Sequence, residues 1–152
     1  MAKLTFVGGI HPYDGKELSK DKPIQDILPG SELVYPLSQH IGAPAKAIVA
    51  NGDRVLTGQK IAESGGFVSA PVYASVSGTV KAIEPRRVVT GDMVMSIVVE
   101  NDGLYEDVGF YPQAPLEKLG REEIIDIVRE AGIVGMGGAG FPTHVKLSPK
   151  EP

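Results

Sequence analysis

From Ala45 to Asp102 the chain alternates short apolar runs with turn residues. "AKAIVANGDRVLTGQKIAE" breaks at Asn51-Gly52-Asp53 and at Thr57-Gly58, and "ASVSGTVKAIEP" and "RRVVTGDMVMSIVVEND" keep the same rhythm. Val and Ile fit a pleated surface, and the Gly and Asn positions supply turns, so the pattern predicts an all-β module built of short strands. The preceding residues differ. "HPYDGKELSKDKPI" is polar and turn-forming, and Pro36 and Pro44 in "LVYPLSQHIGAP" forbid a long helix, so residues 1–40 read as an irregular lead packing on the β module.

After "DGLYEDVGFYPQAP", which reads as a linker, the period switches. Leu119, Ile124, Ile125, Ile127, Val128 and Ala131 fall near helical spacing, which predicts one amphipathic helix over roughly 121–131. Glu122 and Glu123 favour its positive N-terminal end, and Gly132 serves as its C-cap. The apolar face needs a partner, yet only residues 132–152 follow. The expected organisation is therefore a lead over 1–40, a β module over 41–112, and over 113–152 the start of a second domain that the chain does not complete.

Composition narrows the chemistry. The 152 residues are 42% hydrophobic and 22% charged, enough to build a core and too apolar for a disordered chain. A net charge of -4, with Arg86-Arg87 the one adjacent basic pair, leaves no footprint for nucleic acid. With no cysteine, this stretch holds no disulfide, no thiolate nucleophile and no cysteine-bound cluster, so redox chemistry within it would need an organic cofactor. No apolar run reaches the length of a membrane helix, and the N-terminal apolar run is too short for a signal peptide, so a cytoplasmic location is the default expectation.

The densest candidate for chemistry is "GIVGMGGAGFPTHVKL", residues 132–147. Gly135, Gly137 and Gly140 satisfy the spacing of a dinucleotide fingerprint, but a helix precedes them where a strand is required, and Pro142 follows at once. A standard Rossmann site is disfavoured. The glycines still remove side chains, so that main-chain N–H groups can approach a phosphate or a flat ring. Phe141 can stack on a ring, and Lys146 can meet a phosphate charge. A flexible linker is the alternative, against which Val134, Met136, Ala139 and Phe141-Pro142-Thr143 count.

The β region resembles the barrel-sandwich hybrid fold of biotinyl and lipoyl carrier domains. Gly52-Asp53-Arg54-Val55, Gly58-Gln59-Lys60-Ile61 and Ala74 to Val80 match that pattern, in which the first two segments make one strand pair. The slot of the modified lysine falls near Gly66-Phe67-Val68, and no lysine lies between Lys60 and Lys81. The module is thus expected to have the shape of a carrier and the role of a structural or docking domain. Phe67 is either a contact for a partner or tucked onto the sheet.

"REAGIVGMGGAGFPTHVKL" is similar to the flavin-binding loop of the NADH-oxidising subunit of respiratory complex I and its relatives. With the opening "FVGGIHPYDGKELSKDKPI" and an intervening barrel-sandwich module, the chain resembles the N-terminal part of the C subunit of Rnf ion-translocating electron-transport complexes. The resemblance makes residues 113–152 the first helix and glycine loop of a truncated α/β FMN/NADH-binding domain, and implies FMN lined by Gly135, Gly137, Gly138 and Gly140, Lys146 near the flavin phosphate, and Phe141 against the nicotinamide of NAD(H). Met136 departs from the pattern, which has Arg between the first two loop glycines. Iron–sulfur (4Fe-4S) clusters are implied only beyond residue 152.

The implied function is electron passage between NAD(H), FMN and iron–sulfur carriers in a ferredoxin:NAD oxidoreductase coupled to ion translocation. The implied partners are the other subunits of a membrane complex, met peripherally on the cytoplasmic face without membrane insertion, and the stretch alone is not expected to be a competent enzyme. Two alternatives stand beside this reading: a non-catalytic docking module, and a piece of a soluble flavin reductase such as a cobalamin reductase, in which the flavin loop comes first. His11, His40 and His144 lack acids or cysteines at ligand spacing, which leaves a metal site without support. The Ser–His and Asp–His combinations have no nucleophile elbow, which disfavours a hydrolase.

Overall fold

Two antiparallel sheets are folded face to face in the computed structural model, which describes residues 8–10, 12–109 and 114–149. One sheet holds β1 (Glu32–Pro36), β7 (Met93–Asn101), β6 (Gly78–Arg87) and β3 (Arg54–Val55), in that order. The other holds β2 (Lys46–Ala47), β4 (Lys60–Glu63) and β5 (Val72–Tyr73). Val55, Val80, Ile97 and Val99 from the first sheet meet Ile61, Ala62 and Val72 from the second, with Val76 between them, in a single core cluster. The apolar run of β7 is buried on both faces at Ile97, Val98 and Val99, while the exposed Glu100 begins the return to solvent. The fold is mainly β and is a barrel-sandwich hybrid.

Three expectations are corrected. The lead is not irregular throughout, because Glu32–Pro36 pairs in register with Glu100 to Ser96 of β7 and delivers Tyr35 to the core, with Leu37 following. Pro36 ends a sheet-edge strand, where its missing N–H costs no ladder bond. Nor do the Gly52–Val55 and Gly58–Ile61 segments make one strand pair. β3 pairs with β6, and β4 pairs with β2 and β5. The turn between them, closed by Gln59 N–H to Leu56 O at 3.0 Å and Leu56 N–H to Gln59 Oε1 at 2.9 Å, carries the chain from one sheet to the other.

The expected linker is also tied down in its first half. Arg54 bridges Asp102 at 3.2 Å and Glu106 at 2.8 Å, while the buried Ser77 hydroxyl donates to Asp102 at 2.7 Å. The Ser77 hydrogen bond, aided by the Leu104 amide and Arg54, holds the Asp102 carboxyl below the ordinary carboxylate range. The boundary expected at 112/113 and His11 lie outside the described residues.

Beyond it, α1 (Arg121–Glu130) runs nearly as its periodicity predicts. Gly120 N–H donates to Glu123 Oε2 at 2.7 Å, and Gly132 takes φ +66° just past the end, where a side chain would be strained. Ile125 is buried, and Ile124, Ile127 and Val128 are half-buried. The partner that this face requires comes from α2 (Thr143–Lys146), on which α1 packs.

Candidate functional site

The glycine segment is a closed loop with a small base. Val134 and Pro142 form an antiparallel bridge, Gly135 N–H donates to Phe141 O at 2.9 Å, and Thr143 N–H donates to Ile133 O at 2.9 Å. These bonds bring the two ends together and leave Met136 to Ala139 as an exposed turn, with Met136 97% exposed. The loop follows α1 and closes on itself, so it does not have the strand-to-helix form of a Rossmann fingerprint.

Each predicted site residue has a distinct place. Gly135, Phe141 and Lys146 converge at the base: Lys146 Nζ lies 5.8 Å from the Phe141 ring centroid, and a Cβ added to Gly135 would stand 3.1 Å from that nitrogen. A cation over an aromatic face is favourable, and here it holds the ammonium near the loop. Gly140 is buried at φ +64°, and an added Cβ would meet Gln39 O at 2.9 Å and His40 Cα at 3.1 Å. Its lack of a side chain is explained by packing within the chain. Gly137 and Gly138 are the opposite case. Neither has positive φ, an added Cβ at either would meet nothing within 4 Å, and the amides of Met136, Gly137 and Gly138 donate to no group among the described residues. No contact among the described residues explains their bareness, so these two fit a ligand that approaches the main chain from outside.

The loop unit sits on the β module, a seat that sequence spacing did not reveal. Ile41 N–H donates to Ala139 O at 3.0 Å. The His144 ring is buried, and its Nε2–H donates to Phe67 O at 3.1 Å with the two rings edge to face. Phe67 stays 68% exposed, so α2 caps the backbone of the hairpin tip, where carrier domains present their lysine, without covering its side chain. At the other end Lys60 is paired with Glu130, and the Tyr73 hydroxyl donates to the Glu130 carbonyl.

These contacts perturb the groups concerned. The Glu130 hydrogen bond raises the Lys60 ammonium and lowers the Glu130 carboxyl, while burial raises the Tyr73 phenol. Between seat and loop lies a half-open cavity of about 300 Å³, lined in part by Tyr35, His40, Pro71, Tyr73, Gly132 and Val134. No cluster of three or more His, Asp or Glu side chains able to hold a metal occurs among the described residues.

The β module is a barrel-sandwich hybrid with no lysine between Lys60 and Lys81, and the glycine loop is seated on its Gln39–Ile41 segment while α2 lies against the hairpin tip. The RnfC barrel sandwich hybrid domain family matches residues 4–104, and the chain belongs to that family. It is 49% identical over 145 residues to the C subunit of the Na(+)-translocating ferredoxin:NAD(+) oxidoreductase complex of Acetobacterium woodii, covering 95% of this chain and 33% of that protein. It is 47% identical over 147 residues to the C subunit of the proton-translocating ferredoxin:NAD(+) oxidoreductase complex of Clostridium ljungdahlii, covering 95% and 32%. Against the C subunit of the ion-translocating oxidoreductase complex of Vibrio cholerae, identity is 42% over 144 residues, covering 93% and 19%. The chain thus spans a third or less of the length of these relatives.

Proposed function

We propose that this chain is the part of a C subunit that seats a flavin loop, in a complex that passes electrons between NAD(H), FMN and iron–sulfur carriers as a ferredoxin:NAD oxidoreductase coupled to ion translocation. The observation that carries the reading is the pair Gly137 and Gly138, where an added Cβ would meet nothing within 4 Å and whose amides donate to no group among the described residues. The names of the relatives supply the reaction class. In this reading residues from 113 onward open a flavin-binding domain, the partners are other subunits of the complex, and the subunit lies peripherally on the cytoplasmic face. No helix among the described residues is long and apolar enough to cross a membrane.

FMN, when bound, supplies the hydride and single-electron chemistry, and the protein supplies orientation. The amides of Gly137 and Gly138 would hold FMN by main-chain donation, and Gly135 clears the base for Lys146. Lys146 would provide the countercharge to the phosphate, and Phe141 would offer an aromatic wall to a nicotinamide. Met136 brings no charge to the tip, which leaves Lys146 as the cation at the loop base. None of these side chains acts as a proton donor or acceptor.

FMN titration of the full-length protein, followed by quenching of flavin fluorescence, tests the proposal. Gly137→Ala is expected to leave the fold unchanged, since its methyl points into open space, and to weaken FMN about tenfold or more by standing between ligand and amides. A full-length protein that ignores FMN, or a Gly137→Ala variant that binds it as tightly as the parent, would refute the reading.

A further inference from the structure

We propose that His40, outside the glycine loop and on the β module, is a positioning residue that fixes the Gln39–Ile41 segment on which the loop's exit at Ala139 and Gly140 is seated. The inference rests on the flavin reading of the loop. Ala70 N–H donates to His40 Nε2 at 3.0 Å, and an amide nitrogen can only donate, so Nε2 carries no proton. Nδ1 therefore carries it and donates to Ile41 O at 3.1 Å. The ring thus joins two walls of the module, the Gln39–Ile41 segment and the strand entry at Ala70-Pro71.

Those two walls touch opposite ends of the loop. Ile41 N–H holds Ala139 O at 3.0 Å, and Gln39 O and His40 Cα crowd Gly140 at the exit. Pro71 O lies 2.9 Å from the place of a Cβ on Gly132, at the entry. Gly132, His40 and Pro71 also line the same 300 Å³ cavity. Losing the bond from Ala70 to His40 loosens the Gln39–Ile41 wall locally, although Ala43 N–H to Val68 O at 2.9 Å still ties it further along, and the Ala139–Gly140 exit then loses its seat while the Val134–Pro142 base keeps the loop closed. Among the described residues the exit has little else to hold it on the module, because Ala139 is held by a single bond to Ile41 and Gly140 by contact with Gln39 and His40.

Full-length protein carrying His40→Asn or His40→Gln tests this, with FMN affinity and amide exchange of the peptide containing Ile41 as readouts. Asparagine is too short to accept from Ala70, whereas the glutamine Oε1 reaches the position of Nε2. The expected result is about tenfold weaker FMN binding and about tenfold faster Ile41 exchange in His40→Asn, both largely restored in His40→Gln, with the thermal transition of the β module unmoved. Unchanged exchange and affinity in His40→Asn, or a His40→Gln variant as defective as His40→Asn, would overturn it. So would collapse of the whole β module in His40→Asn, which would mark the residue as a core strut. A parent protein that binds no FMN sinks the flavin reading instead, and Ile41 exchange then still decides whether His40 sets the loop.

Discussion

The β module and the helix–loop unit hold their shapes by different means. In the module Val55, Ile61, Val76, Val80, Ile97 and Val99 are all essentially fully buried and mutually packed. In the unit after residue 113 the buried set is Ile125, Gly140, Pro142 and His144, and much of the attachment is polar: Lys60 to Glu130, Tyr73 to the end of α1, His144 to Phe67, Ile41 to Ala139. The first region carries its own core. The second borrows a surface, so its loop geometry is a property of the seat as much as of its own residues.

Ile61→Ala should break both regions at once. Truncating a fully buried Ile removes transfer energy and leaves a cavity, together worth about 2–5 kcal/mol, and chemical denaturation should show the module and the loop unit losing structure together. Gly140→Ala should break only the second region. Its methyl meets Gln39 O on a backbone already in the left-handed region, a penalty of about 1–3 kcal/mol, and limited proteolysis should cut the loop while the β signal in circular dichroism persists.

Tyr73→Phe sharpens the contrast further by removing one donor to the C-terminal carbonyl of α1. Loosening of the helix by about 1 kcal/mol is expected, read as faster exchange in 121–132 with the core strands unchanged. The smallest effect is that of pH. Because the Glu130 carboxyl is lowered in the fold, its contribution is complete above the ordinary carboxylate range and disappears as pH falls through the depressed value, where the proton severs the pair with Lys60. Both side chains are partly solvated, so the effect should stay below about 1 kcal/mol and show as freer exchange of α1 in acid while the β module is unaffected.

Local pattern carried much of this structure. The limits of α1 follow from the spacing of Ile124, Ile125, Ile127 and Val128 and from Gly132, all signals contained within a few turns of helix. The strand-rich character of 45–102 follows likewise from β-branched runs between turns. What stayed hidden involves partners distant in the chain. β1 exists because β7 lies beside it, and nothing in "LVYPL" shows that partner. His40 has no noteworthy neighbours in sequence, and His144 meets Phe67 only because α2 folds back across the hairpin tip.

By itself, then, the order of residues determined a β module lacking a carrier lysine, one helix with its stop, and a loop whose glycines free its amides, because each depends on short-range sterics and periodicity. Only the tertiary structure decided which sheet each strand joins, and that Gly140 is bare to fit Gln39 and His40 while Gly137 and Gly138 face open space. Identical residues in one loop were separated by what stands opposite them, and that is a matter of long-range packing, which spacing along a chain does not encode.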